Sequence, residues 1–241
     1  MKPVPPAELW AQLAASPLLG LTATLLAYLA GVWLFKRSGQ KPLCNPVLIA
    51  IILLSLLLWA TGTPYPRYFD GAQFIHFLLG PATVALAVPL HAYWRRLRQM
   101  ALPLVAGLLA GSATAAFSAM GLARLFGASP ETVFSLGPKS VTTPIAMGVA
   151  EQIGGIPSLT AVLVILTGIL GAMCFPGFFR LLGIRNHATQ GFAVGLTAHG
   201  LGTARAFLVS EEMGAFSALG MGLNGVLTAV ALPMLLSLLF R

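Results

Sequence analysis

"LGPKSVTTPIAMGVAE", residues 136–151, carries a lysine, a serine, two threonines, two prolines and a glutamate inside a chain that is otherwise overwhelmingly apolar. How this stretch is read decides the fold. Of 241 residues, 57% are hydrophobic and 8% are charged, and the mean hydropathy is +0.87. So little polar surface cannot cover a soluble core, and most of the backbone belongs in lipid. Several apolar runs approach the roughly 20 residues that a helix needs to cross about 30 Å of hydrocarbon, a length that favours helices over the short alternating strands of a barrel. The expected class is all-α: a polytopic transmembrane helical bundle with broken or re-entrant helices and an internal inverted repeat.

Working outward, the apolar segments fall at 17–35, 45–61, 72–94, 98–121, 132–153, 158–180, 188–210 and 214–240. No linker or low-complexity block separates them, so one transmembrane domain is expected over residues 1–241, with 1–16 as a short N-terminal extension. No small-residue cleavage pattern follows the first apolar run, and an uncleaved first helix is expected there. Trp33, Trp59 and the pair Tyr93-Trp94 sit near segment ends, where amphipathic rings anchor at the headgroup level. Cys44 and Cys174 lie in or near apolar segments and read as two free buried thiols.

The net charge of +8 is spread over short links between segments, which marks topology rather than nucleic-acid binding. Lys36, Arg37 and Lys41 flank one link and Arg95, Arg96 and Arg98 another, so both belong on the cytoplasmic side, and the N-terminus lies outside. Arg180, Arg185 and His187 fall on the wrong side if every later segment crosses. They fall on the correct side if 132–153 dips in and returns, and charge alone leaves the two open.

Within 136–151, Thr143 suits an N-cap and Pro144 the first helical position, so a helix starts there. Ten residues of helix from Pro144 to Ile153 rise about 15 Å, half the hydrocarbon thickness. Its start then lies near the midplane and presents free amides, the Ser140, Thr142 and Thr143 hydroxyls and the Lys139 ammonium. Polar backbone persists at that depth only when it is buried in protein or lines a wet cavity. Free N–H groups, the positive helix end and an ammonium together favour a small carboxylate or another oxyanion. The alternative is that Lys139 snorkels to a headgroup and the prolines merely kink a helix.

"TAHGLGTARAFLVSEE", residues 197–212, makes a parallel case, with His199, Thr203 and Arg205 near glycines that permit an unwound turn. Arg205 can grip a carboxylate with two hydrogen bonds, or pair with Glu151, Glu211 or Glu212. His199 can carry a coupling proton, or be satisfied by a neighbouring carbonyl. His76, Thr83, Glu151 and Asn224 are secondary candidates; Glu151 reads better as interfacial, and Asn45 and Asn224 as interhelical hydrogen-bonders. A faint repeat supports a duplicated architecture: "LGPATVALAVP" at 79–89 matches "LGPKSVTTPIA" at 136–146, and 199–210 opens similarly. The chain lacks HExxH, GxSxG and a phosphate-cradling glycine loop, and no enzyme activity, metal or cofactor is expected.

Three ordered motifs, "LLGPATVALAVPL" at 78–90, "LGPKSVTTPIAMGVAEQIGG" at 136–155 and "GFAVGLTAHGLGTARAF" at 191–207, resemble the LrgB/CidB family over nearly the whole chain from about residue 40. The resemblance implies a multi-pass protein of the bacterial inner membrane. Such proteins are described as holin-like or antiholin-like, are linked with murein hydrolase control, and often work beside a small LrgA/CidA-type membrane protein. Similar sequence forms the C-terminal half of the plastid glycolate/glycerate translocator, and some bacterial members are associated with pyruvate movement. A holin needs an apolar, oligomerising span, whereas polar broken helices suit selective handling of a small carboxylate. The expectation is therefore a secondary carrier of small 2-hydroxy or 2-oxo monocarboxylates, homo-oligomeric, with H+ or Na+ as coupling ion. Lys139 and Arg205 would anchor substrate, Ser140, Thr142, Thr143 and Thr203 would hydrogen-bond it, and His199 would couple a proton.

Overall fold

Several helices in this chain start where a polar side chain caps free amides, at Asn45, Ser129 and Asn186, and several are followed by a glycine in a left-handed turn, at Gly62, Gly127 and Gly183. The computed structural model describes residues 17–39 and 41–239, without the side chains of Pro17, Pro42, His76, Leu79, Thr83 and Leu239. In order, the elements are α1 (Pro17–Arg37), a 3-10 turn (Pro42–Cys44), α2 (Pro46–Thr61), α3 (Tyr65–Phe77), α4 (Leu79–Ala85), α5 (Ala87–Ala92) and α6 (Trp94–Gln99). There follow α7 (Ala101–Leu125), α8 (Pro130–Leu136), α9 (Thr143–Gln152), α10 (Pro157–Leu181), α11 (His187–Phe207) and α12 (Glu211–Leu239). No strand occurs among the described residues. Among the described residues, five stretches are long and apolar enough to cross a membrane: Leu18–Arg37, Tyr65–Ala92, Ala101–Leu125, Pro157–Leu181 and Glu211–Leu238. The chain is a multi-pass helical membrane protein.

Contacts divide it after Ala85 into two compact units. In the first, α1 packs on α2 and α3 through small residues. Gly31 lies against the Pro46 backbone and Gly20 against the backbone of Tyr68 and Ala72, so neither position has room for a side chain. The Thr24 hydroxyl meets the Tyr68 hydroxyl at 2.7 Å across the same contact. Asn45 caps α2 by accepting from the Val47 and Leu48 amides, which corrects the expectation that it bonds between helices. The stretch expected as one segment over 72–94 is divided among α3, α4 and α5. Pro81 and Pro89 each fall in the first turn of a new helix, because neither can continue the preceding one.

The second unit buries small side chains, including Ala146, Ala150, Ala188 and Ala206, and turns large ones such as Leu102, Leu125, Leu170 and Leu181 outward. Lipid is as apolar as leucine, so close packing of small residues, not hydrophobic sorting, selects the interior. Between its spanning helices α7, α10 and α12, two segments enter and turn back.

The first is α8–α9. On the entering arm, Ser135 accepts a hydrogen bond from the Ile156 amide at 2.8 Å through its hydroxyl and another from Thr160 at 3.1 Å through its carbonyl, which sets it beside the start of α10. At the tip, Val141 packs with Ala146 and Val164. The returning arm carries Val149 and Ile153 back to Val133 and Phe134. Segment 132–153 is therefore a helical hairpin that enters and leaves at one end of the unit, the alternative that charge had left open.

The second is α11, expected as a span over 188–210 and found to be a hairpin as well. Its backbone leaves helical geometry at His199, with φ 41° and ψ −132°. His187 Nδ1 and Ser210 Oγ are 3.0 Å apart, although 23 residues of straight helix would separate them by about 35 Å. Gly202, on the returning arm, lies against Val194 and Ala198 of the entering arm. Residue spacing and apolarity fit a span equally well, which is why the reversal at His199 was not expected.

The two hairpins enter from opposite ends. Helix α10 runs from the base of the first to the base of the second, and Val164 sits at the first tip while Gly168 sits at the second. This is an inverted repeat, and a sequence signal accompanies it. Gly121, Arg124, Leu125 and Gly127 at the end of α7 recur at one constant spacing as Gly177, Arg180, Leu181 and Gly183 at the end of α10. Both helices have 25 residues. Gly127 and Gly183 both take positive φ (76° and 66°), and each is followed by a capping residue, Ser129 or Asn186, that opens a hairpin. The end that holds the base of the second hairpin also holds α6: Leu97 packs with Ala188 and Phe192, and Arg96 forms an ion pair with Glu212. Arg95, Arg96, Arg98, Arg180 and Arg185 thus share one end of this unit.

Candidate functional site

A chain reversal inside lipid leaves backbone groups without helical partners, and each must be satisfied locally. Because α11 breaks at His199, the Leu196 carbonyl cannot receive the amide four residues on. Asn224 supplies it instead: Nδ2 donates to Leu196 O at 2.9 Å and to Ser140 O, at the other tip, at 3.2 Å. Its Oδ1 accepts from Ser112 Oγ at 2.5 Å and from Thr228 Oγ1 at 3.3 Å. Asn224 is 1% exposed, and stands 13 residues into α12 with 15 to follow. The hairpin tips therefore meet near half-depth, and the interhelical bonding expected of Asn224 is present across four elements.

At the first tip, Pro138–Thr142 link α8 to α9. Thr142, not Thr143, is the N-cap, one residue earlier than expected, and its side chain makes no capping bond. The first α9 amides are thus left without a side-chain cap, an arrangement that favours an anion. Ser140 is buried, and Lys139 Nζ donates to Ser140 Oγ at 3.3 Å. Lys139 is half-buried, and no carboxylate among the described residues pairs with it.

At the second tip, the His199 ring meets Val164 O at 3.0 Å and is buried, the carbonyl-satisfied alternative. Gly168 makes this possible, because a Cβ there would lie 2.7 Å from the ring. A non-glycine residue at positive φ stores strain, which persists only where its surroundings over-determine it.

The remaining candidates divide. Thr203 donates to His199 O at 2.8 Å and shares a 2.8 Å bond with Ser217 Oγ, so its hydroxyl fastens the hairpin to α12. Arg205 lies on the returning arm about 9 Å beyond His199, toward the base. Glu151 is exposed near the end of α9, as expected of an interfacial residue. The side chains of His76 and Thr83 lie outside the described residues. Cys44 and Cys174 are free, with Cys174 exposed rather than buried. No cluster of metal-ligating side chains occurs among the described residues. A groove of about 290 Å³ between α7 and the entering arm of α11, lined by Pro103, Gly107, Gly111, Phe192 and Leu196, contains none of the candidate residues.

The pattern of the LrgB-like family matches residues 24–238. This chain belongs to the LrgB-like family. It is 37% identical over 220 residues to YwbG of Bacillus subtilis (strain 168), covering 91% of this chain and 97% of that protein. It is 30% identical over 201 residues to the "Holin-like protein CidB" of Staphylococcus epidermidis, covering 83% and 88% of the two chains. To an "Antiholin-like protein LrgB" of Bacillus cereus it is 29% identical over 219 residues, covering 91% and 95%. No solved structure matches. The LrgB-like region thus includes both hairpins and all the spanning helices of the second unit.

Proposed function

We propose that this LrgB-like protein is a secondary carrier of small 2-hydroxy or 2-oxo monocarboxylates, of the glycolate, glycerate and pyruvate class, working by alternating access around the hairpin tips. The observation that carries this reading is Lys139: an ammonium held where two oppositely entering hairpins meet, with no carboxylate partner among the described residues. A charge at such depth is costly unless an anion or a wet cavity satisfies it. The open α9 start and the Thr142 hydroxyl add donors for the same anion. Half-helices that meet at the midplane within an inverted repeat suit a carrier that exposes one site to each side in turn.

In this reading Lys139 anchors the carboxylate, Ser140, Thr142 and Thr143 bond its oxygens, and Arg205 receives it on the way to the basic end. In this reading the coupling ion is H+, carried by the His199 imidazole in exchange for its bond to Val164 O, or Na+. The basic end faces the cytoplasm of a bacterial inner membrane. A second reading draws on the names of the relatives, holin-like and antiholin-like, and on what the family resemblance implies: a membrane protein that acts on murein hydrolases with a small LrgA/CidA-type partner.

Counterflow of labelled glycolate, glycerate and pyruvate into proteoliposomes separates the two. The carrier reading expects saturable exchange that excess unlabelled substrate blocks, with no leak of unrelated solutes. Size-tolerant leakage that depends on oligomer formation would favour the pore.

A further inference from the structure

We propose that Asn224 is the positioning residue of this site, a single carboxamide that ties the two hairpin tips into one moving body. The inference rests on the carrier reading for its consequence in transport, but on geometry alone for the tie.

The side-chain chemistry is specific. A carboxamide has two N–H donors and an oxygen with two acceptor sites on one rigid plane. At Asn224 all four are used: the donors hold Leu196 O of the second hairpin and Ser140 O of the first, and the oxygen takes hydroxyls from Ser112 of α7 and Thr228 of α12. Aspartate would offer no donor when ionised, and serine has only one, so neither can bridge two carbonyls. The two hairpins come from opposite ends of the unit, and this one carboxamide hydrogen-bonds to both tips.

The consequence follows from sequence adjacency. Ser140 is next to Lys139, and Leu196 is three residues before His199. Fixing the two carbonyls to one amide therefore constrains the separation between the ammonium that would hold a carboxylate at the first tip and the imidazole at the second. Untied tips would present these groups at varying separations, and a small anion that bridges them would bind less tightly without any binding group being lost.

The test uses the full chain in lipid, with Cys44→Ser and Cys174→Ser, spin labels at Gly148→Cys and Ala204→Cys, and pulsed electron paramagnetic resonance as the distance readout. Both label sites are exposed, one on each hairpin's returning arm. With Asn224 present, one narrow distance distribution is expected. Asn224→Ala, and Asn224→Asp, which keeps the shape and has at most one donor for the two carbonyls, should at least double its width in protein of unchanged helix content. An unchanged width in either folded variant overturns the tie. If neither variant folds, Ser112→Ala, which removes one of the two bonds orienting the carboxamide, decides by the same measurement. In counterflow the tie predicts at least a tenfold rise in half-saturation for the Asn224 variants, with a smaller change in maximal rate. A wild-type protein that exchanges no carboxylate would remove the carrier reading, and the distance distributions would still judge the tie.

Discussion

Lys139→Ala is expected to raise the half-saturation concentration for carboxylate exchange by roughly ten- to a hundredfold, with the protein still folded and inserted. A hydrogen bond to a charged group contributes about 1.5–3 kcal/mol, and every 1.4 kcal/mol is a factor of ten in affinity. Lys139 makes its described contact to Ser140 Oγ, a single neutral partner, so its removal breaks no ion pair among the described residues and should leave the hairpin standing. Lys139→Arg keeps the charge and should restore part of the affinity, because a guanidinium also grips a carboxylate. Counterflow kinetics on the three proteins measure this; equal half-saturation in wild type and Lys139→Ala would take Lys139 out of the site.

Gly195→Val is the second large effect, and it falls on folding rather than on binding. Gly191 and Gly195 are one turn apart on the entering arm of α11, and a Cβ at either would collide with the carbonyl of Met213 or Ser217 on α12. The obstacle is backbone, which cannot rotate away, so the cost should reach or exceed the upper end of the about 1–3 kcal/mol typical of overpacking. The expected result is loss of monodisperse, helical protein on extraction. Gly222→Ala, on an exposed face of α12 with nothing within 4 Å of the new methyl, serves as the control. It should change stability by no more than about 0.5 kcal/mol. Equal behaviour of the two variants would contradict the close α11–α12 approach.

These effects come from features of unequal visibility in the sequence. Composition and run length establish a helical membrane protein, and the Thr-Thr-Pro at 142–144 marks the broken first hairpin because proline and the hydroxyls act locally. The second hairpin is hidden, since 188–210 has a span's length and its turn is made at His199, where a non-glycine residue, and not one of the neighbouring glycines, takes the uncommon positive φ. A usable signal was nevertheless present in the recurrence of Gly-x-x-Arg-Leu-x-Gly at 121–127 and 177–183, which places each hairpin after an equivalent helix. Asn224 is legible only as a polar residue in a span, because its partners Ser140 and Leu196 stand 84 and 28 residues away. No shift in composition marks the division after Ala85. Thr203 shows what residue type alone does not convey: a hydroxyl near a break invites a binding role, and here it also bonds His199 O and Ser217 of α12.

The most direct test of the account is sided thiol labelling of the whole protein in sealed vesicles, because opposed hairpins predict a pattern that spans cannot produce. In a Cys44→Ser, Cys174→Ser background, single cysteines replace Arg185 and Val209, which bracket the second hairpin, and Ala128 and Gln152, which bracket the first. An impermeant maleimide should reach positions 185 and 209 from one face and positions 128 and 152 from the other. Labelling of 185 and 209 from opposite faces would make α11 a span, separate the two tips, and contradict the site built on them.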